Sequence, residues 1–323
     1  MRIAVLDGHE ANPGDVSWEP LMQLGETTIY DETPSDQVVA RLKGQDVLVL
    51  NRIRVDEALL SQLPDLKMIT TLATGYNQID LAATAARGIP VCNVPAYCTE
   101  AVSQFTFALI LEMANHVGAH SQLVRQGQYE QSRDAVYSTL PFLELDGLKL
   151  GILGYGEIGR RVANLGLAFG MQVLLHSRTE KPAPQGCRWV DEETLFRESD
   201  ILSLHCPLTE ETRGFINRER LALMKPGARL INVARGGVWD EQAVADALYS
   251  GHLGAVAADV LTQEPPKSDH PLLTPPRCLL TPHIAWASRK ARQRVIEKAA
   301  GNIAGWFSGH PQHVVNGALP TAH

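Results

Sequence analysis

Short apolar runs alternate along this chain with segments of helical periodicity. Met1–Asp7 (MRIAVLD), Val47–Leu50, Lys67–Leu72 and Pro90–Val94 are apolar stretches bounded by turn residues, and each predicts a buried strand. Between them Ser35–Lys43 and Asp56–Leu63 carry helical spacing. Strands without alternation, separated by helices, imply a parallel sheet covered on both faces. A second series begins at Leu148. It predicts strands at Lys149–Leu153, Gln172–His176, Ile201–Leu204, Arg229–Val233, Ala255–Asp259 and Cys278–Leu280, with helices at Ile158–Phe169, Asp191–Glu198, Arg218–Leu223 and Asp240–Ser250.

Between the two series, Thr99–Val117 predicts a long helix, apolar on most faces, that joins two bodies. Gly127–Gly147 loses periodicity and is expected to form an exposed connection, and Ser288–Ser308 predicts a terminal helix long enough to cross back. The predicted fold class is α/β, with two doubly wound parallel-sheet domains. One, over 99–286, is Rossmann-type; the smaller, flavodoxin-like domain is discontinuous, built from 1–98 and 287–323.

Composition narrows the function. A length of 323 residues suits two domains, and 45% hydrophobic with 20% charged residues excludes a disordered or fibrous chain. A net charge of −7, from 29 basic and 36 acidic residues, argues against a non-specific nucleic-acid binder or a polybasic membrane anchor. The most apolar stretch, Phe105–Met113, is interrupted by Thr106 and Glu112 and falls short of the ~18–20 residues of a spanning helix. The first residues do not read as an export signal. Five cysteines (Cys92, Cys98, Cys187, Cys206, Cys278) show no CxxC pair and no Cys/His metal spacing. They are expected to be reduced thiols in a cytoplasmic protein, and a metal-dependent alcohol dehydrogenase has no ligand set to use.

Gly154-Tyr155-Gly156-Glu157-Ile158-Gly159 follows an apolar strand and opens a helix. In that setting the glycines serve a tight turn, close approach to a pyrophosphate, and helix–strand packing, while the helix N-terminus offers free N–H groups to phosphate. About 20 residues on, a carboxylate would usually hold the adenosine ribose hydroxyls. Here Ser177 occupies the tip of the second strand, followed by Arg178 and, nearby, Lys181. Without a carboxylate a ribose 2′-phosphate is not repelled, and the cation can pair with it. This favours NADP(H), with NAD(H) left open through Glu180.

Asn232-Val233-Ala234-Arg235-Gly236-Gly237, Asp259-Val260-Leu261-Thr262-Gln263-Glu264-Pro265-Pro266 and Thr281-Pro282-His283-Ile284-Ala285-Trp286 occur in that order. With the glycine loop, they make nearly the whole chain resemble the D-isomer-specific 2-hydroxyacid dehydrogenases. Asn12–Trp18 (NPGDVSW) and Leu72–Asn77 (LATGYN) are most similar to the glycerate dehydrogenase/hydroxypyruvate reductase branch.

The resemblance implies an oxidoreductase that reduces a small 2-keto acid, hydroxypyruvate or glyoxylate by preference, to the D-2-hydroxy acid by hydride transfer from NAD(P)H. It implies catalytic Arg235, Glu264 and His283. The residue chemistry agrees: a guanidinium fork suits a carboxylate and an adjacent carbonyl oxygen, an imidazole delivers a proton near neutral pH, and a carboxylate orients that imidazole. Arg235 and His283 fall just past predicted strand ends and Glu264 a few residues beyond another, at the edge where doubly wound sheets bind ligands. Carried over for the cofactor are Tyr155, Glu157 and Ile158 at the phosphates, Cys206 and Pro207 beside the adenosine, and Ala234, Asp259 and Ala285 toward the nicotinamide. For the substrate they are Asn51 and the backbone N–H groups of Thr74 and Gly75, where glycine would allow an unusual dihedral, together with Arg235 and His283. Asp259 is expected to bond the nicotinamide side or to position Arg235, and Cys206 to be a packing residue. A homodimer is implied, although Ser103-Gln104 and Tyr129 depart from the family pattern in the linking region. Two alternatives remain: a non-catalytic NAD(P)-sensing interaction protein, which would have no need to keep all three catalytic groups, and a dehydrogenase for a larger 2-keto acid.

Overall fold

The computed structural model describes residues 1–132 and 142–318. Two compact units emerge, Met1–Cys98 with Trp286–His323, and Thr99–Ala285.

In the first unit, β1 (Arg2–Val5), β2 (Glu26–Ile29), β3 (Val47–Leu50), β4 (Met68–Thr71) and β5 (Val91–Cys92) form one parallel sheet in the order β2-β1-β3-β4-β5. This is the flavodoxin-like order. β3 and β4 are buried at every residue, as unbroken apolar runs require. The run criterion misses β2, whose sequence ETTI alternates between exposed and half-buried positions because it is an edge strand.

The terminal helix Arg289–Phe307 begins at Ser288, whose Oγ accepts the Ala291 N–H. Its Arg292 forks onto Asp15 at 2.6 and 2.7 Å, holding that carboxyl below the usual range. Asn12 organises the loop between by accepting from Gly14 and Val16 N–H. The Asn12–Trp18 motif thus ties the first loop to the last helix. Beyond that helix, Val314 bridges Cys92 antiparallel and Val315 N–H bonds Val91 O at 2.8 Å, so the tail covers the β5 edge.

In the second unit, β6 (Lys149–Leu153), β7 (Gln172–His176), β8 (Cys187–Trp189), β9 (Ile201–Leu204), β10 (Ala228–Asn232), β11 (Leu253–Ala258) and β12 (Cys278–Leu280) form a seven-stranded parallel sheet, ordered β12-β11-β10-β9-β6-β7-β8. Six of these correspond to the apolar runs. β8, with sequence CRW, is an edge strand too short and polar to produce one. β10 and β11 end one residue earlier than predicted, because Val233 and Asp259 leave the ladder to begin loops. The core between sheet and helices holds Phe196, Leu202, Leu204, Leu230, Val244 and Val256, all fully buried.

Helix Thr99–Asn115 stops before the predicted Val117 because His116 takes a left-handed backbone, φ 49, and a new helix, Val117–Arg125, follows. Phe107 of the long helix stacks on Phe169 at 5.2 Å, at the end of helix Glu157–Ala168. Within the expected irregular connection, Gln128–Gln131 forms one helical turn, and 133–141 lie outside the described residues. No helix among the described residues is long and apolar enough to cross a membrane.

Candidate active site

The glycine loop leaves β6 with three different constraints. Gly154 has φ +97, and a Cβ there would meet Cys206 N at 2.6 Å, so the turn presses on the exit of β9. A Cβ on Gly159 would lie 2.2 Å from Gly154 O, which fixes how closely the helix packs. Gly156 is open, with nothing within 4 Å of a built Cβ. The first intrahelical bond runs from Arg160 N–H to Gly156 O, and no side chain caps the N-terminus. The loop therefore offers unbonded helical N–H groups beside a glycine without a side chain, which fits a dinucleotide pyrophosphate.

Side chains here differ from the sequence reading in detail. Tyr155 is 3% exposed and packs edge-on against Trp189 at 5.4 Å, so only its backbone can face a phosphate. The Glu157 carboxylate is bonded to Arg160 at 2.7 Å. Ile158 is half-buried in the first helical turn. At the end of β7, Ser177 is half-buried and Arg178 is exposed, its charge near enough to Glu211 to help lower that carboxyl. Burial pushes the Cys206 thiol up to about 11, which excludes a thiolate nucleophile near neutral pH, and Pro207 beside it is exposed.

The ends of β10, β11 and β12 gather the three candidate catalytic side chains. A Cβ on Gly236 would lie 2.0 Å from Leu261 C, so glycine alone lets the Arg235 loop lie directly on the loop that carries Glu264. Arg235 is extended (φ −151, ψ 139), and its Nη1 donates to Ala234 O at 2.7 Å. Ala234 N–H in turn donates to Asn232 Oδ1 at 3.0 Å. Glu264 Oε1 accepts the Leu261 N–H at 2.8 Å, and Oε2 accepts from His283 Nδ1 at 2.7 Å. That bond places the His283 proton on Nδ1 and leaves Nε2 for other chemistry. A cavity of about 280 Å³ is lined by Arg235, Gly236, Glu264 and His283, together with Arg213 and Thr262.

His283 itself holds φ +55, an uncommon conformation for a residue with a side chain. Asp259 sustains it. Its Oδ1 accepts Thr281 Oγ1 at 2.6 Å and Ile284 N–H at 2.9 Å, and Oδ2 accepts Ala285 N–H at 2.8 Å. This corrects the expectation that Asp259 positions Arg235: the carboxylate, 1% exposed, is bound to the turn on both sides of His283. Sequence reading also missed Glu241, whose Oε1 accepts the Thr262 N–H at 2.8 Å while Oε2 lies 3.1 Å from His270 Nε2. In sequence it is one more acidic residue in the first helical turn after Asp240, a position explained by the helix dipole alone.

Asn51, Thr74 and Gly75 belong to the first unit and form a separate group there. The Asn51 amide donates to Glu10, which also pairs with Arg52 at 2.8 Å, so this amide is already engaged. Among the described residues, the N–H groups of Thr74 and Gly75 donate to no acceptor. Gly75 does not take a left-handed φ, so the unusual dihedral expected there is not found.

Residues 107–285 match the family model of the D-isomer specific 2-hydroxyacid dehydrogenase, NAD binding domain. The chain is 40% identical to a hydroxypyruvate reductase of Blautia hydrogenotrophica over 98% of its own length and 100% of that protein. It is 36% identical to a glycerate dehydrogenase of Methylorubrum extorquens, over 88% of this chain and 90% of the relative. A crystal structure of D-lactate dehydrogenase from Aquifex aeolicus, complexed with NAD and lactic acid, is similar at a TM-score of 0.81 and 32% identity, covering 96% of each chain.

Proposed function

The chain belongs to the D-isomer-specific 2-hydroxyacid dehydrogenases, and we propose that it is the member that reduces hydroxypyruvate, and glyoxylate as a smaller substrate, with NADPH preferred to NADH. It reduces small 2-keto acids to D-2-hydroxy acids with a nicotinamide cofactor. The observation that carries the site is the 2.7 Å bond from His283 Nδ1 to Glu264 at the cavity shared with Arg235.

In this reading a reduced nicotinamide, when bound by the glycine loop, supplies the hydride. Arg235 draws the keto oxygen and carboxylate into its fork, polarising the carbonyl. His283 gives its Nε2 proton to the carbonyl oxygen as negative charge develops there, and Glu264 stabilises the protonated ring and fixes its plane. In oxidation His283 Nε2 takes the same proton back. The substrate carboxylate is also assigned to the free N–H groups of Thr74 and Gly75. The exposed Arg178 and the absence of a carboxylate at Ser177 support the NADPH preference. Val117 and Val124, exposed and seven residues apart on one helix, support association as a homodimer. Five free cysteines support a reducing, cytoplasmic setting.

Steady-state kinetics with glyoxylate, pyruvate, hydroxypyruvate and a branched 2-keto acid against both reduced nucleotides test this. Hydroxypyruvate with NADPH should give the highest kcat/KM, and Arg178→Ala should lower the NADPH/NADH ratio about tenfold, the loss expected for one charge-assisted phosphate contact. A branched keto acid turned over best would reject the substrate assignment, and an unchanged nucleotide ratio would reject the role of Arg178.

A further inference from the structure

We infer that Asn93 is a positioning residue for substrate binding: by bonding Thr74 O it aims and polarises the Gly75 N–H, and the terminal helix holds Asn93 in place to do so. The inference rests on the assignment of the substrate carboxylate to the Thr74 and Gly75 N–H groups.

A peptide unit is planar, so fixing its carbonyl fixes the opposite-facing N–H of the next residue. Two consecutive units at the end of β4 are pinned in this way. Ala73 O accepts Thr71 Oγ1 at 2.7 Å and Val94 N–H at 2.9 Å, which sets the Thr74 N–H. Thr74 O accepts Asn93 Nδ2 at 2.8 Å, which sets the Gly75 N–H. Thr74 Oγ1 closes the arrangement by donating to Val94 O at 3.0 Å. Hydrogen bonds to a carbonyl also polarise its peptide and strengthen the N–H as a donor.

The support for Asn93 comes from one face of the terminal helix. Arg294 donates to Tyr97 O, Lys298 Nζ to Pro95 O at 3.0 Å, and Asn302 Nδ2 to Asn93 O at 2.8 Å. Helix positions four apart lie on one face about 6 Å apart, close to the spacing of alternate residues in a non-helical segment, so the two repeats match. Asn302 is 1% exposed, and its other side, Oδ1, accepts from His313 Nδ1 at 2.8 Å. The Asn302 amide thus makes bonds on both sides, which fixes its orientation, and Asn93 N–H completes the loop by donating to His313 O at 3.2 Å.

The test compares Asn93→Ala and the near-isosteric Thr71→Val with the full-length wild type. Each should raise KM for the 2-keto acid about tenfold, as expected for misaiming one charge-assisted hydrogen bond, with kcat within about twofold and the NADPH Kd unchanged. A KM equal to wild type in both, or a fall in kcat at constant KM, would overturn the inference. The Gly75 amide proton shift, read by NMR on ¹⁵N-glycine protein, needs no turnover: it should move in Asn93→Ala while that of Gly88 stays, and an unmoved Gly75 signal would also overturn the inference. If the wild type turned over no 2-keto acid while Asn93→Ala still moved the Gly75 signal, the assigned function would be rejected and the peptide alignment left intact.

Discussion

His283 and His313 hold their backbones in the same left-handed region, both at φ 55, and each is fixed through ring Nδ1. The partners differ. Glu264 is a carboxylate beside a cavity, with about a third of the His283 side chain exposed, whereas Asn302 is a neutral, buried amide. A carboxylate stabilises the imidazolium that proton transfer creates; an amide oxygen, already matched by an Nδ2–H bond on its other side, supplies orientation alone. Under the proposed function, two residues of the same type and geometry therefore divide into a proton carrier and a structural tie according to what their Nδ1 touches.

The strongest way to break this comparison is His283→Asn. Asparagine tolerates the left-handed backbone and places an amide N–H where Nδ1–H stands, so the bond to Glu264 and the turn held by Asp259 can persist. Only the proton at Nε2 is lost. We expect kcat to fall about 10³-fold, within the range of general acid catalysis, while NADPH binding measured by fluorescence titration is kept. Turnover within tenfold of wild type would show that the proton comes from elsewhere.

Why His283 was legible and His313 was not follows from what sequence patterns encode. The ordered motifs and the family resemblance they carry single out Arg235, Glu264 and His283; Arg235 and His283 sit just past apolar runs and Glu264 a few residues beyond another, which agrees with the rule that ligands bind at strand C-termini. The strands themselves were visible where burial on both faces removes alternation, as in β3, β4 and β9. Edge strands β2 and β8 lack that signature. The turn-holding role of Asp259 depends on three bonds to residues beyond β12, and the grip of the terminal helix on 93–97 depends on Arg294, Lys298 and Asn302 meeting backbone carbonyls remote in sequence. Spacing by four was present in the chain, but such spacing usually marks a solvated face, and only the tertiary partner distinguishes it.

A third histidine sharpens the comparison through pH. His205, at the end of β9, bonds Ser203 Oγ at 2.9 Å through Nε2 and has no carboxylate in contact among the described residues; burial pushes its pKa down to about 3. Its ring stays neutral in the folded protein while the unfolded chain protonates near 6.5. The stabilisation from the neutral ring is therefore complete above pH 6.5 and is lost progressively as pH falls toward 3. Between pH 6.5 and 5 this amounts to about 2 kcal/mol. Urea unfolding at the two pH values should show that loss in the wild type and a visibly smaller one in His205→Asn. Equal losses in both proteins would place the acid sensitivity in other groups.

The smallest effect belongs to His313, and it separates orientation from charge most cleanly. The ring is exposed, so water can replace much of what it contributes. His313→Asn keeps a donor at the Nδ1 position and tolerates φ 55; His313→Asp tolerates the same backbone but presents an acceptor to the Asn302 oxygen. The aspartate should turn the Asn302 amide, weaken its bond to Asn93 O, and raise KM for the 2-keto acid about threefold, a difference of about 0.7 kcal/mol and within the range of a neutral hydrogen bond. The asparagine should stay near the wild-type value, with kcat unchanged in both. Were the asparagine to raise KM as much as the aspartate, the ring itself and not its donor would be what matters. His313 would then no longer be the neutral counterpart of His283.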